Sequence, residues 1–403
     1  MEYGINRYER CINYIYFILL IAFSSFEYFF REEVTFFAIS LGAFIYCLKR
    51  KYTTPISVYI CFGVFSLCYI MQYLGIDSYK ITSIISRSIY LWGSYFIARI
   101  IYKRFVSVYL EVIYWISLVS IIIYLACIIF PALKDFLMDQ VAPYCVSLNV
   151  ESAVQRGGGI NILIYNFQTR NLLDSVGLMR NCGPFWEPGM YAVFLSVGLF
   201  FNLFVLRSKR TYFNLLLGLS LLTTLSTGGY IAATFIFMLY VFTRNRLWLK
   251  FVGVLLFIVS LNFISDLDFV GIKISNQLSS AEVGNDISRF SAILTQLEMI
   301  KDAPLIGGAS INDYVDTEEA TLASGFFFVF IQYGIPIGLF FYFILFKSLK
   351  RLIISYDRST SVALLFICLL LILSISQTIF SNSFFLVLLF VGLLRKTYKN
   401  GTV

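Results

Sequence analysis

The sequence contains no histidine, which removes the commonest general base and the commonest metal ligand together. Any base must then be Glu, Asp, Tyr, Lys or Cys. Charge is scarce as well: 13% of the 403 residues are charged against 59% apolar, which excludes an ordinary soluble chain. A Walker loop, a dinucleotide fingerprint and zinc-ligand spacing are all absent, so neither ATP hydrolysis nor hydride transfer has a home here. No cofactor and no metal are expected. Neither an internal repeat nor a low-complexity segment stands out.

What the sequence does have is repeated apolar runs of about 20 residues, with a mean hydropathy of +0.81. They predict an all-α polytopic membrane protein, a single integral membrane domain over 1–403. Apolar segments fall at 11–30, 34–48, 55–74, 81–101, 109–130, 184–206, 211–225, 228–243, 247–265, 324–346, 360–379 and 382–394, which predicts about twelve transmembrane helices. The first run follows Arg7 and Arg10 and lacks a cleavage site, so it reads as an uncleaved span.

Charge then sorts the loops, because cytoplasmic connections collect Lys and Arg. With twelve spans, 21 of the 31 basic residues fall on one side, in clusters such as Lys49-Arg50-Lys51 and Lys347, Lys350 and Arg351. Nine fall on the other side, and Arg87 lies inside the fourth span. Both termini are thus expected in the cytoplasm, and two large extracytoplasmic loops are expected at 131–183 and 266–323. The net charge of +8 anchors the inner face and gives no sign of a nucleic-acid partner.

The first outer interval carries Gly157-Gly158-Gly159, which reads either as a backbone anion site or as a flexible turn. The second carries Asp286, a residue suited to cap a helix whose apolar positions Ile287, Phe290, Leu294, Leu297 and Ile300 recur at threes and fours. This predicts an amphipathic helix over 286–301 lying on the outer membrane face, stopped by Pro304 and Gly307-Gly308. Six of the eight cysteines lie in or beside spans. Cys145 and Cys182 fall in the first outer interval, where a disulfide and two ordinary small apolar residues are both open readings.

One stretch organises the rest: Arg180-Asn181-Cys182-Gly183-Pro184-Phe185-Trp186-Glu187-Pro188-Gly189-Met190-Tyr191. Gly183 and Pro184 fit a turn into a helix, with Pro in its first turn. Pro188 is harder to place, since a proline deep in a span leaves a carbonyl unpaired in lipid unless protein or water satisfies it. Glu187 therefore belongs at a membrane surface beside an irregular helix start. It reads either as a carboxylate complementing a helix N-terminus or as part of a reaction centre with Arg180. Arg156, Arg170, Arg180 and Arg289 all face outward by this topology, and an arginine fork matches phosphate oxygens. The plainer reading pairs each with a loop carboxylate. Arg87 is costly in hydrocarbon and should face the bundle interior, holding a buried anion or a carboxylate. Asp266, Asp268, Asp313, Asp316, Glu318 and Glu319 read as solvated loop acid rather than metal ligands.

Arg180, Gly183, Phe185, Glu187 and Pro188, followed by Ser226-Thr227-Gly228-Gly229, resemble a motif order of Wzy-type O-antigen and capsule polymerases, in the O-antigen polymerase/ligase superfamily. Ser288-Arg289, the Pro304–Gly308 turn and Gln332-Tyr333-Gly334-Ile335-Pro336-Ile337-Gly338 extend the resemblance over residues 175–345. Related ligases typically carry a histidine after the second outer loop; near Thr321 to Ser324 this sequence has none, which favours polymerase over ligase. The resemblance implies a GT-C-like, metal-independent glycosyltransferase of the bacterial cytoplasmic (inner) membrane. Its donor and acceptor would be undecaprenyl-pyrophosphate-linked oligosaccharides, with membrane lipid and a chain-length regulator protein as partners. Arg289 and Arg180 are then expected to stabilise the departing pyrophosphate, with Arg170, Arg156 and Arg87 as further substrate-binding candidates. Glu187 is expected to deprotonate or orient the acceptor hydroxyl, and Tyr191 to bond that carboxylate or stack on sugar. A flippase or exporter is the competing class, but it would place its charges within the spans, in two repeated halves. An acyltransferase is weakened by the missing histidine.

Overall fold

The computed structural model describes residues 7–26, 33–75, 81–145, 160–167, 179–207, 211–243, 289–308 and 324–394. Helices dominate them. In the first part of the chain they are α1 (Arg7–Ser25), α2 (Glu33–Lys49), α3 (Ile56–Gly75), α4 (Ile81–Ile101), α5 (Phe105–Ile129) and the short α6 (Pro131–Phe136). A two-stranded antiparallel hairpin follows, β1 (Ile160–Asn161) and β2 (Asn166–Phe167), with Ile160 opposite Phe167 and Asn161 opposite Asn166. Then come α7 (Pro188–Phe200), α8 (Thr211–Thr223), α9 (Thr227–Phe242), α10 (Arg289–Asp302), α11 (Gly325–Ile354), α12 (Thr360–Ser376) and α13 (Ser383–Val391).

Four helical runs are long and apolar enough to cross a membrane: Ile56–Gly75, Ile81–Ile129, Pro188–Leu206 and Gly325–Ile354. Shorter apolar helices accompany them, and the predicted segment 247–265 lies outside the described residues. Side-chain exposure agrees with a lipid setting. Helix α3 buries Val58, Phe62, Phe65 and Tyr69, yet its outer face carries Ile60, Leu67, Ile70 and Leu74. A helix apolar on both faces is at home in hydrocarbon, not in water. The chain is a mostly helical, membrane-embedded protein.

The chain divides into two compact units. One holds residues 1–24, 32–108 and 283–403, and the other residues 25–31 and 109–282. In the first, α4 packs on α2 and α13, and α11 packs on α10, α12 and α13. Every residue of α13 is buried, so this nine-residue helix is the unit's central rod. At 1.5 Å per residue, such a helix is about half as long as a bilayer core is thick. In the second unit α7 takes the central place: all its residues except Gly189 are buried, and α8 and α9 pack against it.

Helix α11 is broken at Gly334 (φ 75°, ψ 171°), two residues before Pro336. A break inside an apolar unit frees backbone groups that lipid cannot satisfy. The Pro304–Gly308 turn, which follows α10, meets that need. Gly308 N–H donates to the Ile331 carbonyl (2.7 Å), and Ile335 N–H donates to the Pro304 carbonyl (2.7 Å). From α3, the Gln72 amide donates to the Gln332 and Ile306 carbonyls (2.7 and 2.6 Å), and the Cys68 thiol lies 3.8 Å from the Tyr333 and Ile306 carbonyl oxygens. Glycine is required on both sides of this joint. A Cβ on Gly307 would sit 2.4 Å from Gly334 N, and one on Gly334 would sit 2.4 Å from the Leu305 oxygen.

Helix α10 opens at Arg289, and Asp286 and Ile287 lie outside the described residues. Its face toward the protein carries Gln296 and Met299, both buried, whereas Leu294 and Leu297 stay exposed. Gln296 fixes the helix through paired bonds, donating to the Ser324 carbonyl and accepting from Ser324 N–H, each 3.3 Å.

Candidate functional site

In the second unit, the stretch from Met179 to Glu187 is a non-helical strap that runs through the interior before α7 begins. Asn181, Cys182 and Phe185 are fully buried. Such a strap is stable only if its backbone finds partners. Arg180 and Asn181 lie against the end of α8: the Arg180 Nε donates to the Thr224 carbonyl (3.2 Å), and Asn181 N–H donates to the Thr223 carbonyl (3.0 Å). From α5, the Tyr124 hydroxyl donates to the Met179 carbonyl (3.1 Å). Asn166, fully buried on the hairpin, donates its N–H to the Gly183 carbonyl (2.6 Å) and its side-chain amide to the carbonyls of Phe185 and Trp186 (3.0 and 3.2 Å). Trp186 N–H donates to the Ser25 carbonyl (3.0 Å), and Phe26 forms an isolated antiparallel bridge with Phe185.

The helix start differs from the sequence expectation. Gly183 and Pro184 are the middle of a turn closed by Phe185 N–H on the Cys182 carbonyl (3.1 Å), with Gly183 at φ +54°. Such a turn favours glycine at its first central position. The helix begins four residues later, at Pro188, where a ring-locked φ and a missing N–H cost nothing. Pro188 is therefore not deep in a span, and the difficulty of its unpaired carbonyl disappears.

Glu187 is the residue preceding the helix, extended (φ −150°, ψ 157°) and half-buried. Its backbone carbonyl accepts from Tyr191 N–H (3.2 Å), but its carboxylate makes no capping hydrogen bond. Its backbone thus places Glu187 immediately before the N-terminal end of α7.

Tyr191 requires a correction. Its side chain is fully buried, with the ring stacked on Phe185 (centroids 5.0 Å apart, planes 17° apart). The hydroxyl faces those of Ser117, Ser120 and Ser220 and forms no well-aligned hydrogen bond, so it neither holds the Glu187 carboxylate nor presents a face to sugar. One helical turn separates the two residues in sequence, but α7 is a buried rod and Tyr191 points into its packing. Cys145 and Cys182 are free thiols, Cys182 buried, so the disulfide reading falls and the small apolar reading stands.

In the first unit, Arg87 is half-buried on α4, and its guanidinium donates to the Gln72 amide oxygen (3.3 Å). Since Gln72 also grips the Gly307–Gly334 joint, Arg87 reaches that joint through one side chain. Arg289 stands at the first position of α10, and its side chain, like Arg156 and Arg170, lies outside the described residues. The Gly157–Gly159 run and the acidic residues at 266–268 and 313–319 lie outside them too. Among the described residues no three Cys, Asp or Glu side chains cluster to hold a metal ion.

The structure thus brings Arg180 and Glu187 onto the two ends of one anchored strap. Sequence reasoning missed the residues that anchor it: Asn166, Asn181, Ser120 and Thr223. Asn181 stood inside the singled-out stretch, and an asparagine amid buried apolar residues is the signal that was there to read, because such an amide must be satisfied internally. Ser226 of the Ser226–Gly229 motif has a structural role: it caps α9, accepting from Gly229 N–H at 3.3 Å. No protein-family model matches this chain, and no match was found among the curated proteins or the solved structures compared with it.

Proposed function

We propose that the chain is a glycosyltransferase that polymerises lipid-pyrophosphate-linked oligosaccharide repeat units at the outer face of the bacterial cytoplasmic membrane. The full arrangement in this reading is about twelve spans in a GT-C-like layout, both termini in the cytoplasm. The observation that carries it is the strap: an arginine and a carboxylate held at its two ends, with the carboxylate at the head of a buried helix.

The reaction needs few groups. An acceptor hydroxyl attacks the anomeric carbon of the donor sugar, the bond from that carbon to the pyrophosphate oxygen breaks, and the lipid pyrophosphate departs with the bonding electron pair. The hydroxyl proton passes to Glu187. Charge grows on the leaving diphosphate, where a guanidinium held in place stabilises the transition state more than the ground state. Arg180 takes this role on the strap. The driving force travels with the donor, so no nucleotide is required.

The test is purified protein in liposomes with a lipid-linked oligosaccharide, read as a ladder on a gel. The reading expects a ladder from wild type and none from Arg180→Ala or Glu187→Gln. A ladder at undiminished rate from both variants removes the site assignment. Transfer of a single block to a lipid A core, without a ladder, makes the chain a ligase.

A further inference from the structure

The strap is useful to a transferase only if its two charged groups hold still, and one buried residue is placed to enforce this. The Asn181 side chain uses both ends of its amide. Its oxygen accepts from the Ser120 hydroxyl of α5 (2.6 Å) and from Gly183 N–H (3.1 Å). Its nitrogen donates to the Thr223 hydroxyl at the end of α8 (2.9 Å), which in turn donates a hydrogen bond to the Ser220 carbonyl (2.8 Å). With its backbone N–H on the Thr223 carbonyl (3.0 Å), a single residue ties the strap to two helices and to its own turn. Arg180 is its immediate neighbour and rests on the adjacent Thr224 carbonyl.

We propose that Asn181, acting through Thr223 and Ser120, is the positioning residue that fixes the Arg180 guanidinium and, through the Gly183 turn, the Glu187 carboxylate in one reactive geometry. This rests on the transferase reading above. Neither Asn181 nor Thr223 touches the reacting atoms; they act by denying the strap its freedom. A misplacement of about 1 Å at a reacting group costs roughly a hundredfold in rate. Losing one of the four bonds therefore lowers turnover well before it unfolds the unit.

The discriminating pair is Thr223→Val and Thr223→Ser in full-length protein reconstituted in liposomes with the lipid-linked oligosaccharide. Valine keeps the shape and deletes the hydroxyl that Asn181 donates to; serine keeps the hydroxyl. The inference expects the valine variant to lose about ten- to a hundredfold in kcat, with KM for the donor unchanged and the folded fraction intact. The serine variant should keep wild-type turnover. A folded valine variant with wild-type kcat overturns the inference. So does a rate loss that only tracks loss of folded protein, or a serine variant as slow as the valine one. If the valine variant does not fold, Ser120→Ala carries the test, with the same loss in kcat alone expected and an unchanged kcat overturning the proposal. A wild-type protein that joins no units at all sinks the transferase reading itself, an outcome distinct from a wild type that works and a valine variant that works equally well.

Discussion

Replacing Gly307 with alanine should open the joint between the Pro304–Gly308 turn and the break in α11. Two effects add. Gly307 sits at φ +62°, where a residue with a Cβ pays about 1–2 kcal/mol. The new methyl would meet only backbone, at 2.4 Å from Gly334 N, 2.6 Å from the Ile331 oxygen and 2.8 Å from Tyr333 N. Backbone cannot swing aside as a flexible side chain can, so overpacking adds about 1–3 kcal/mol. Together these favour the undocked turn by about 2–5 kcal/mol, or roughly thirtyfold to a few thousandfold in the opening equilibrium. Cys68 reports it directly, because it is fully buried with its sulfur 3.8 Å from carbonyls on both sides of the joint. Maleimide labelling of Cys68, resolved by peptide mass spectrometry, should accelerate by that factor when labelling follows local opening. Gly63→Ala on the same helix is the control, since a Cβ there meets nothing within 4 Å and alanine favours a helix. Cys68 labelling in Gly307→Ala at the wild-type rate would refute the described joint.

Three further outcomes follow from the second unit. Asn166→Ala leaves the Phe185 and Trp186 carbonyls without the amide that serves them, at about 1–3 kcal/mol for each buried group; thermal unfolding in detergent should show a large fall in midpoint. Ser117→Ala and Ser220→Ala delete buried hydroxyls that have no aligned partner, so the same melt should stay level or rise. Burial raises the Tyr165 phenol well above its ordinary value near 10. The folded state therefore favours the neutral phenol: its stability is complete below pH 10 and is lost as pH climbs toward the raised value. Tyr165→Phe should unfold at a higher pH than wild type in an alkaline titration, and an unchanged midpoint would refute this.

The helices and their membrane setting were legible because hydrophobic runs need no tertiary information. Their boundaries were less so. Pro184 and Pro188 both suit a helix start by residue type, and the choice was made by long-range partners: Asn166 of the hairpin holds the carbonyls of Gly183, Phe185 and Trp186 in a non-helical turn, and the helix waits for Pro188. The short last segment was legible as apolar but not as a nine-residue buried rod. Gly307 and Gly308 were readable as a stop, whereas Gly334 lay inside a segment read as one continuous span, and nothing in the spacing tells that the turn hydrogen-bonds a break there. For the site, Arg180 and Glu187 stood out by charge among apolar neighbours. Tyr191 misled because helical spacing fixes a direction along a helix and says nothing of what packs around it. The anchoring amides and hydroxyls, being neutral and common residue types, carried little weight until their partners were known.

On the proposed reading, the strap from Arg180 to Glu187 serves transfer of sugar from a lipid pyrophosphate. Its most direct measurement is the release of undecaprenyl pyrophosphate by reconstituted protein, counted against glycosidic linkages formed, for wild type and for Arg180→Ala and Glu187→Gln. The account predicts one pyrophosphate lipid released per linkage with wild type, and both quantities falling together in each variant while the protein stays folded. Linkages formed at the wild-type rate by the two variants, or no release from a folded wild type given donor and acceptor, would contradict it.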